Sequence, residues 1–170
     1  MCYFLKWTDK QLVTMDIPFL VFDKGLNFGF LRRKRKVFLI HGHDEANLFR
    51  LQKLLYDLDL KPIVLSEINY PSSEAIIERF EKVGSKCHYA IALCTPDDLI
   101  HKEENEYSQP RPNVIYELGW FCGKKGRKRV MILLKEQTNV FSDFHGIIYS
   151  KFKEDVYNEC YPFIHRAFRR

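Results

Sequence analysis

Nothing in this 170-residue chain approaches the run of roughly 20 apolar residues that a membrane-spanning helix needs. The segment Ile17–Phe22 is apolar but short, and Asp23-Lys24 follows it, so it is neither a span nor a convincing signal peptide. The five cysteines, Cys2, Cys87, Cys94, Cys122 and Cys160, form no C-x-x-C pair, and three of them sit in apolar patterns. An odd number of such thiols fits buried free cysteines in a reducing compartment, which predicts a cytoplasmic protein. No Walker A loop, G-x-G-x-x-G or G-x-S-x-G occurs. That argues against P-loop, dinucleotide-oxidoreductase and hydrolase-elbow chemistry. There is no internal repeat and no low-complexity segment.

What is there is globular in composition: 46% hydrophobic, 29% charged and 15% aromatic. The length suits one domain with a substantial core. Two runs, Arg32–Lys36 and Lys124–Arg129, carry much of the +5 net charge. Both abut a predicted strand, and neither is interleaved with aromatics. They read as solvated loop and helix-end charge rather than a nucleic-acid surface. Neither nucleic acid nor membrane is expected as a partner.

Residues 1–35 are aromatic-rich without a sustained period and read as an extension. The pattern is clear over 36–170. Val37–Ile40 is a continuous apolar run, the mark of a strand buried on both faces. Leu48, Leu51, Leu55 and Leu58 make one stripe of a helix over about 45–58. Pro62–Leu65 reads as a second strand. Ser72 is the expected N-cap of a helix carrying Ile76, Phe80 and Val83 on one side. His88–Cys94 is a third strand, after which a polar loop is expected as far as Pro112. A helix over about 113–123, ended by Gly123 and Gly126, precedes a fourth strand at Val130–Leu134. A short fifth strand is expected within 144–152. The last helix should place Val156, Cys160, Phe163 and Ala167 on one face. Strands alternating with amphipathic helices predict an α/β fold: a flavodoxin-like, doubly wound parallel sheet of about five strands with helices on both faces.

Such sheets bind ligands beyond the carboxyl ends of their strands. That rule selects His41–Asp44, Glu67–Ser72, Thr95–Asp98 and the start of the helix at Asn113. On that helix Asn113, Glu117 and Trp120 share a wedge at i, i+4 and i+7, beside the stripe of Val114, Leu118, Phe121 and Cys122. Most helical glutamates are simply solvated. Here Pro112 sets the helix start at the ligand-binding edge, and Gly119 and Trp120 are unusual on a purely solvated face. Gly42 and the N–H groups after it suit ligand hydroxyls or phosphates. The competing reading is a tight turn at Gly42 with Asp44 capping the helix, and the two are compatible. Thr95 and Asp97 have the same double reading. His41, His43 and Asp44 also raise a metal site, but ligand spacing alone is weak and no second cluster exists, so no metal is expected.

Three motifs then carry a resemblance: Lys36–Asp44, Leu93–Asp98 and Arg111–Gly119. Together with Phe144–Tyr149 they resemble the prokaryotic TIR-like domains of antiphage defence, found in cyclic-nucleotide-signalled effectors including the TIR–STING type. The resemblance covers about 36–155. It implies NAD glycohydrolase activity with NAD+ as substrate and no cofactor, and it makes Glu117 of N-V-x-x-E-L-G the catalytic residue. His41, Gly42, His43, Asp44, Thr95, Asp97, Asn113 and Trp120 would be substrate contacts. It also implies that Asn69, Tyr70, Pro71 and Ser72 belong to a loop used in head-to-tail assembly into an oligomer or filament. A sensor responding to a cyclic nucleotide would complete such a protein. Two alternatives stand beside this expectation: a non-catalytic TIR adaptor, and an N-glycosidase of the nucleoside deoxyribosyltransferase type.

Overall fold

The apolar run that opens the readable part of the chain becomes an interior strand of a parallel sheet. A computed structural model describes residues 34–69, 75–102, 105–139, 144 and 146–169. Seven strands are present among them: β1 (Lys36–His41), β2 (Lys61–Ile63), β3 (Tyr89–Cys94), β4 (Asp98–Lys102), β5 (Asn105–Gln109), β6 (Val130–Lys135) and β7 (Ile148–Phe152). The helices are α1 (Glu45–Asp57), α2 (Ile76–Ser85), α3 (Pro112–Lys125) and α4 (Val156–Phe168). Five strands pair in the order β2-β1-β3-β6-β7, all parallel. The expected α/β sheet is therefore present.

Period-2 alternation sends successive side chains to opposite faces and builds two cores. Val37, Leu39, Ile91, Leu93, Met131 and Leu133 face α1 and α4. Phe38, Ile40, Ala90, Ala92, Cys94, Val130 and Ile132 face α2 and α3. Phe38 meets Phe121 at 5.0 Å between ring centroids and Phe80 at 5.6 Å. Small residues at Ala90 and Ala92 leave room on that face for these rings.

Several element limits differ from the reading of the sequence. The stretch expected as a polar loop before Pro112 holds the antiparallel hairpin β4–β5. Its strands pair only with each other, apart from a bridge from Ser108 to Thr138. α2 starts at Ile76 with Ala75 at its N-cap, not at Ser72. Ile76 is 74% exposed and does not join Phe80 and Val83 in the core. Gly123 lies inside α3, whose end is Gly126 at φ 82°, a conformation open to glycine at little cost. The buried face of α4 is Val156, Cys160, Ile164 and Phe168. Strict i+4 spacing puts Ile164 and Phe168 on that face, while Phe163 packs half-buried against the same core and Ala167 is exposed. On α1, Leu54 is buried along with Leu48, Leu51 and Leu55. The assembly-loop residues Tyr70, Pro71 and Ser72, and residues 1–33, lie outside the described residues.

Candidate active site

The strand order reverses between β1 and β3, which run side by side from opposite crossover directions. Their carboxyl ends are the switch point at which such sheets bind ligands. There the β1–α1 and β3–β4 loops are locked together. A Cβ built on Gly42 would lie only 1.8 Å from Asp97 Oδ2. Glycine is required at position 42 because the Asp97 carboxylate fills that space. The same carboxylate accepts from the His43 backbone N–H at 3.2 Å and from Thr95 Oγ1 at 3.0 Å. Thr95 is buried, with 1% of its surface exposed. Thus Gly42, His43, Thr95 and Asp97, all expected as substrate contacts, make a clamp whose polar groups bond one another. His41 Nδ1 sits 2.9 Å from the Gly42 carbonyl oxygen, and the His43 side chain is exposed.

Asp44 caps α1. One carboxylate oxygen accepts from the Asn47 backbone N–H at 3.0 Å and the other from Asn47 Nδ2 at 2.8 Å. Lys135 Nζ, at the end of β6, lies 2.7 Å from Asp44 Oδ2. Burial alone would raise the Asp44 pKa. The hydrogen bonds from Lys135 and Asn47, with the ammonium charge, outweigh it and hold the group below the usual value. Asn47 is 2% exposed, and its Oδ1 accepts from the Val156 N–H at 3.2 Å. Asp44 thus makes the expected helix cap, and both its carboxylate oxygens are bonded within the fold. Asn47 and Lys135 were not singled out in the sequence. The legible signal was a lysine closing an otherwise apolar strand.

α3 carries the group with a different electrostatic character. Val114, Leu118 and Phe121 bury toward the sheet as expected, while Cys122 is only half-buried. Glu117 lies on the flank between that stripe and Trp120 and is half-buried. Burial raises its pKa to about 7, with no opposing contribution. Among the described residues its carboxyl has neither a hydrogen bond nor an ion pair. Trp120 turns to α2: its ring lies 4.9 Å from Phe80 and 5.1 Å from Phe121, both edge-on. Gly84 makes that packing possible, since a Cβ there would come within 3.0 Å of both Trp120 and Phe121. Trp120 is therefore a packing residue between α2 and α3, and Asn113 is exposed at the helix start.

Burial raises the pKa of all four described thiols, Cys87, Cys94, Cys122 and Cys160. Burial pushes Cys94 up to about 12, and Cys87 and Cys160 to about 11. Among the described residues no three His, Cys, Asp or Glu side chains gather in a way that could hold a metal ion. Among the same residues no helix is long and apolar enough to cross a membrane.

Comparison with known proteins matches this frame. The chain is 38% identical over 122 residues to the uncharacterised Escherichia coli K12 protein YuaY, an alignment covering 71% of this chain and 40% of YuaY. It is 35% identical over 80 residues to the Pseudomonas aeruginosa Pycsar effector protein PaPycTIR, covering 46% of this chain and 26% of that protein. The chain thus spans less than half the length of these curated relatives. The TIR domain of the Toll-related receptor TRR-2 from Hydra magnipapillata superposes with a TM-score of 0.58 at 14% identity, covering 79% of this chain and 98% of that domain. That likeness is one of fold. The family model for the TIR domain of CAP12/Pycsar effector proteins matches residues 36–154, and the chain belongs to that family.

Proposed function

We propose that the domain hydrolyses NAD+ at the nicotinamide–ribose bond and that Glu117 carries the reaction. The observation that bears most weight is a half-buried carboxyl, raised to about 7 by burial and without a partner among the described residues, little more than one turn into the helix that begins at Pro112. Structural carboxylates in this domain look different: Asp44 and Asp97 are each satisfied by several donors. A half-buried carboxyl with a raised pKa and no partner among the described residues is a functional-site signature.

Nicotinamide leaves NAD+ as a neutral base from a cationic centre, so no strong general acid is needed. Its departure leaves an oxocarbenium-like ribose. An ionised Glu117 beside that sugar accepts from its hydroxyls and stabilises the positive charge, as carboxylates do in glycoside cleavage. Water, or the adenine of the same NAD+, captures the sugar to give linear or cyclised ADP-ribose. NAD+ is then a substrate and no cofactor is required.

Membership of the CAP12/Pycsar effector family supports a role in antiphage defence in the cytoplasm. The remaining length of the relatives leaves room for a sensor answering a cyclic nucleotide. Ile76, Ile77 and Tyr116 are exposed, at 74%, 51% and 48%, and Ile76 and Ile77 closely follow in sequence the segment expected to drive self-association; such apolar surface suits assembly. The test is NAD+ loss and nicotinamide release across a protein concentration series, for wild type and Glu117→Gln. The expected result is turnover that steepens with concentration and vanishes in the variant. Turnover undiminished in Glu117→Gln would reject the assignment.

A further inference from the structure

At the opposite, amino end of the sheet lies a cavity of about 470 Å³. Its walls include the first residues of three strands, Tyr89 of β3, Val130 of β6 and Ile148 of β7, with the last turns of α4 closing one side. The volume falls within the usual range for small-ligand sites, roughly 300–1,000 Å³. Three cations line it: Lys128 and Arg129 from the run before β6, and Arg166 from α4. Among the described residues no carboxylate lines it, and no ion pair involves any of the three. The basic run before β6, which the sequence presents as plain solvated charge, thus meets a cation from α4 some forty residues later in the chain.

The rest of the lining is apolar and aromatic. Tyr89 and Phe168 pack edge to face at 5.0 Å between centroids, and the Arg129 guanidinium lies 6.0 Å from the Tyr89 centroid. Phe163, which does not join the α4 core stripe, turns a half-buried ring into the same space. The α4 carboxyl end would oppose an anion here through its dipole. Arg35 offsets that by donating to the Phe168 carbonyl at 2.6 Å. Three cations with no ion pair among the described residues, above an apolar and aromatic floor, call for a ligand with a multiply charged head and a flat apolar body.

We infer that this cavity is a second ligand site, one that takes a nucleoside monophosphate, with Lys128, Arg129 and Arg166 on the phosphate and the base against Phe163 and Tyr89. Among the described lining residues no Asn, Gln, Ser or Thr side chain reads a base edge. Binding therefore discriminates charge and shape more than base identity. The inference does not depend on the NAD+ reading, because the two sites lie at opposite edges of the sheet.

The test is isothermal titration of the full chain with AMP, and with adenosine and inorganic phosphate as separate arms. AMP is expected to bind once per chain, with adenosine and phosphate each at least about tenfold weaker. Arg129→Gln and Arg166→Gln should each weaken AMP by about tenfold, while Glu117→Gln leaves this binding in place. Thermal melting of each variant establishes that it is folded. Absence of AMP binding overturns the inference, as does binding that survives the Arg129→Gln/Arg166→Gln double variant. Phosphate binding as tightly as AMP would reduce the site to a simple anion hole and also overturns it. Self-association that the arginine variants abolish, without nucleotide binding, would make this face an interface between copies and overturns it too.

Discussion

At the scale of single residues, Glu117 joins stability to activity. Its folded-state pKa of about 7 stands above the ordinary 4.5. Below pH 4.5 the carboxyl is protonated in both folded and unfolded chains, and burial costs nothing extra. As pH rises from there through about 7, the unfolded chain releases its proton first, so stability falls across that window. The shift corresponds to roughly 2–3 kcal/mol at pH 8. Glu117→Gln should therefore melt higher than wild type at pH 8 and nearly with it at pH 5, which a pair of thermal scans would reveal. Activity should move the opposite way. The ionised carboxylate is the working form, so NAD+ turnover is expected to climb as pH passes through about 7 and then level off.

Gly42 is the second residue with a sharp consequence. Its missing Cβ is the space Asp97 occupies. Gly42→Ala must displace a carboxylate that holds the His43 N–H and the Thr95 hydroxyl. A loss of about 1–3 kcal/mol is expected from overpacking of this kind. Because the displaced group clamps the switch point, turnover should fall further than the melting point implies. Gly42→Ala with full activity would mean that the clamp does not shape the site.

At the scale of elements, the start of α1 and the end of β6 are joined through Asp44 and Lys135. Asp44 is held below its usual pKa, so its contribution is present above about 3.8 and is lost as pH falls toward the lowered folded value. Asp44→Ala removes a helix cap and also strands a partly buried ammonium. The cap alone is worth about 1 kcal/mol. Denaturant titration at neutral pH should show a larger loss than that, and Lys135→Met should recover part of it in the double variant.

At the scale of the whole molecule, stability rests on the two layers over the five-stranded sheet and not on the hairpin. Neither core cluster contains a residue of β4 or β5. Replacing 98–109 by a short turn should leave the far-ultraviolet circular dichroism of an α/β protein and a cooperative melt. Leu133→Ala, at a position with no exposed surface, should cost about 2–5 kcal/mol. A hairpin deletion that unfolds the chain would show that β4–β5 closes the core.

Much of this architecture was legible along the chain, for a physical reason. Strands buried on both faces must be apolar at every position, so Val37–Ile40, His88–Cys94 and Val130–Leu134 mark themselves. Val114, Leu118 and Phe121 mark the inner face of α3, and Glu117 stands out because a carboxylate sits beside that stripe. Short-range patterning had less to say where pairing or capping depends on distant groups. Tyr107 and its neighbours in β5 alternate too weakly to announce a hairpin, and α2 begins at Ile76 with Ala75 at its N-cap, where no side-chain cap bond marks the start. The sequence by itself determined the order of the five parallel strands and four helices, the two-faced sheet and the glutamate worth testing, since these follow from local periodicity. Only the tertiary structure decided that Asp97 fills the space above Gly42, that Lys135 answers Asp44, that Trp120 packs on Phe80 and that Arg129 and Arg166 share a cavity. Each of those depends on the closeness of residues far apart in the chain, which no periodicity encodes.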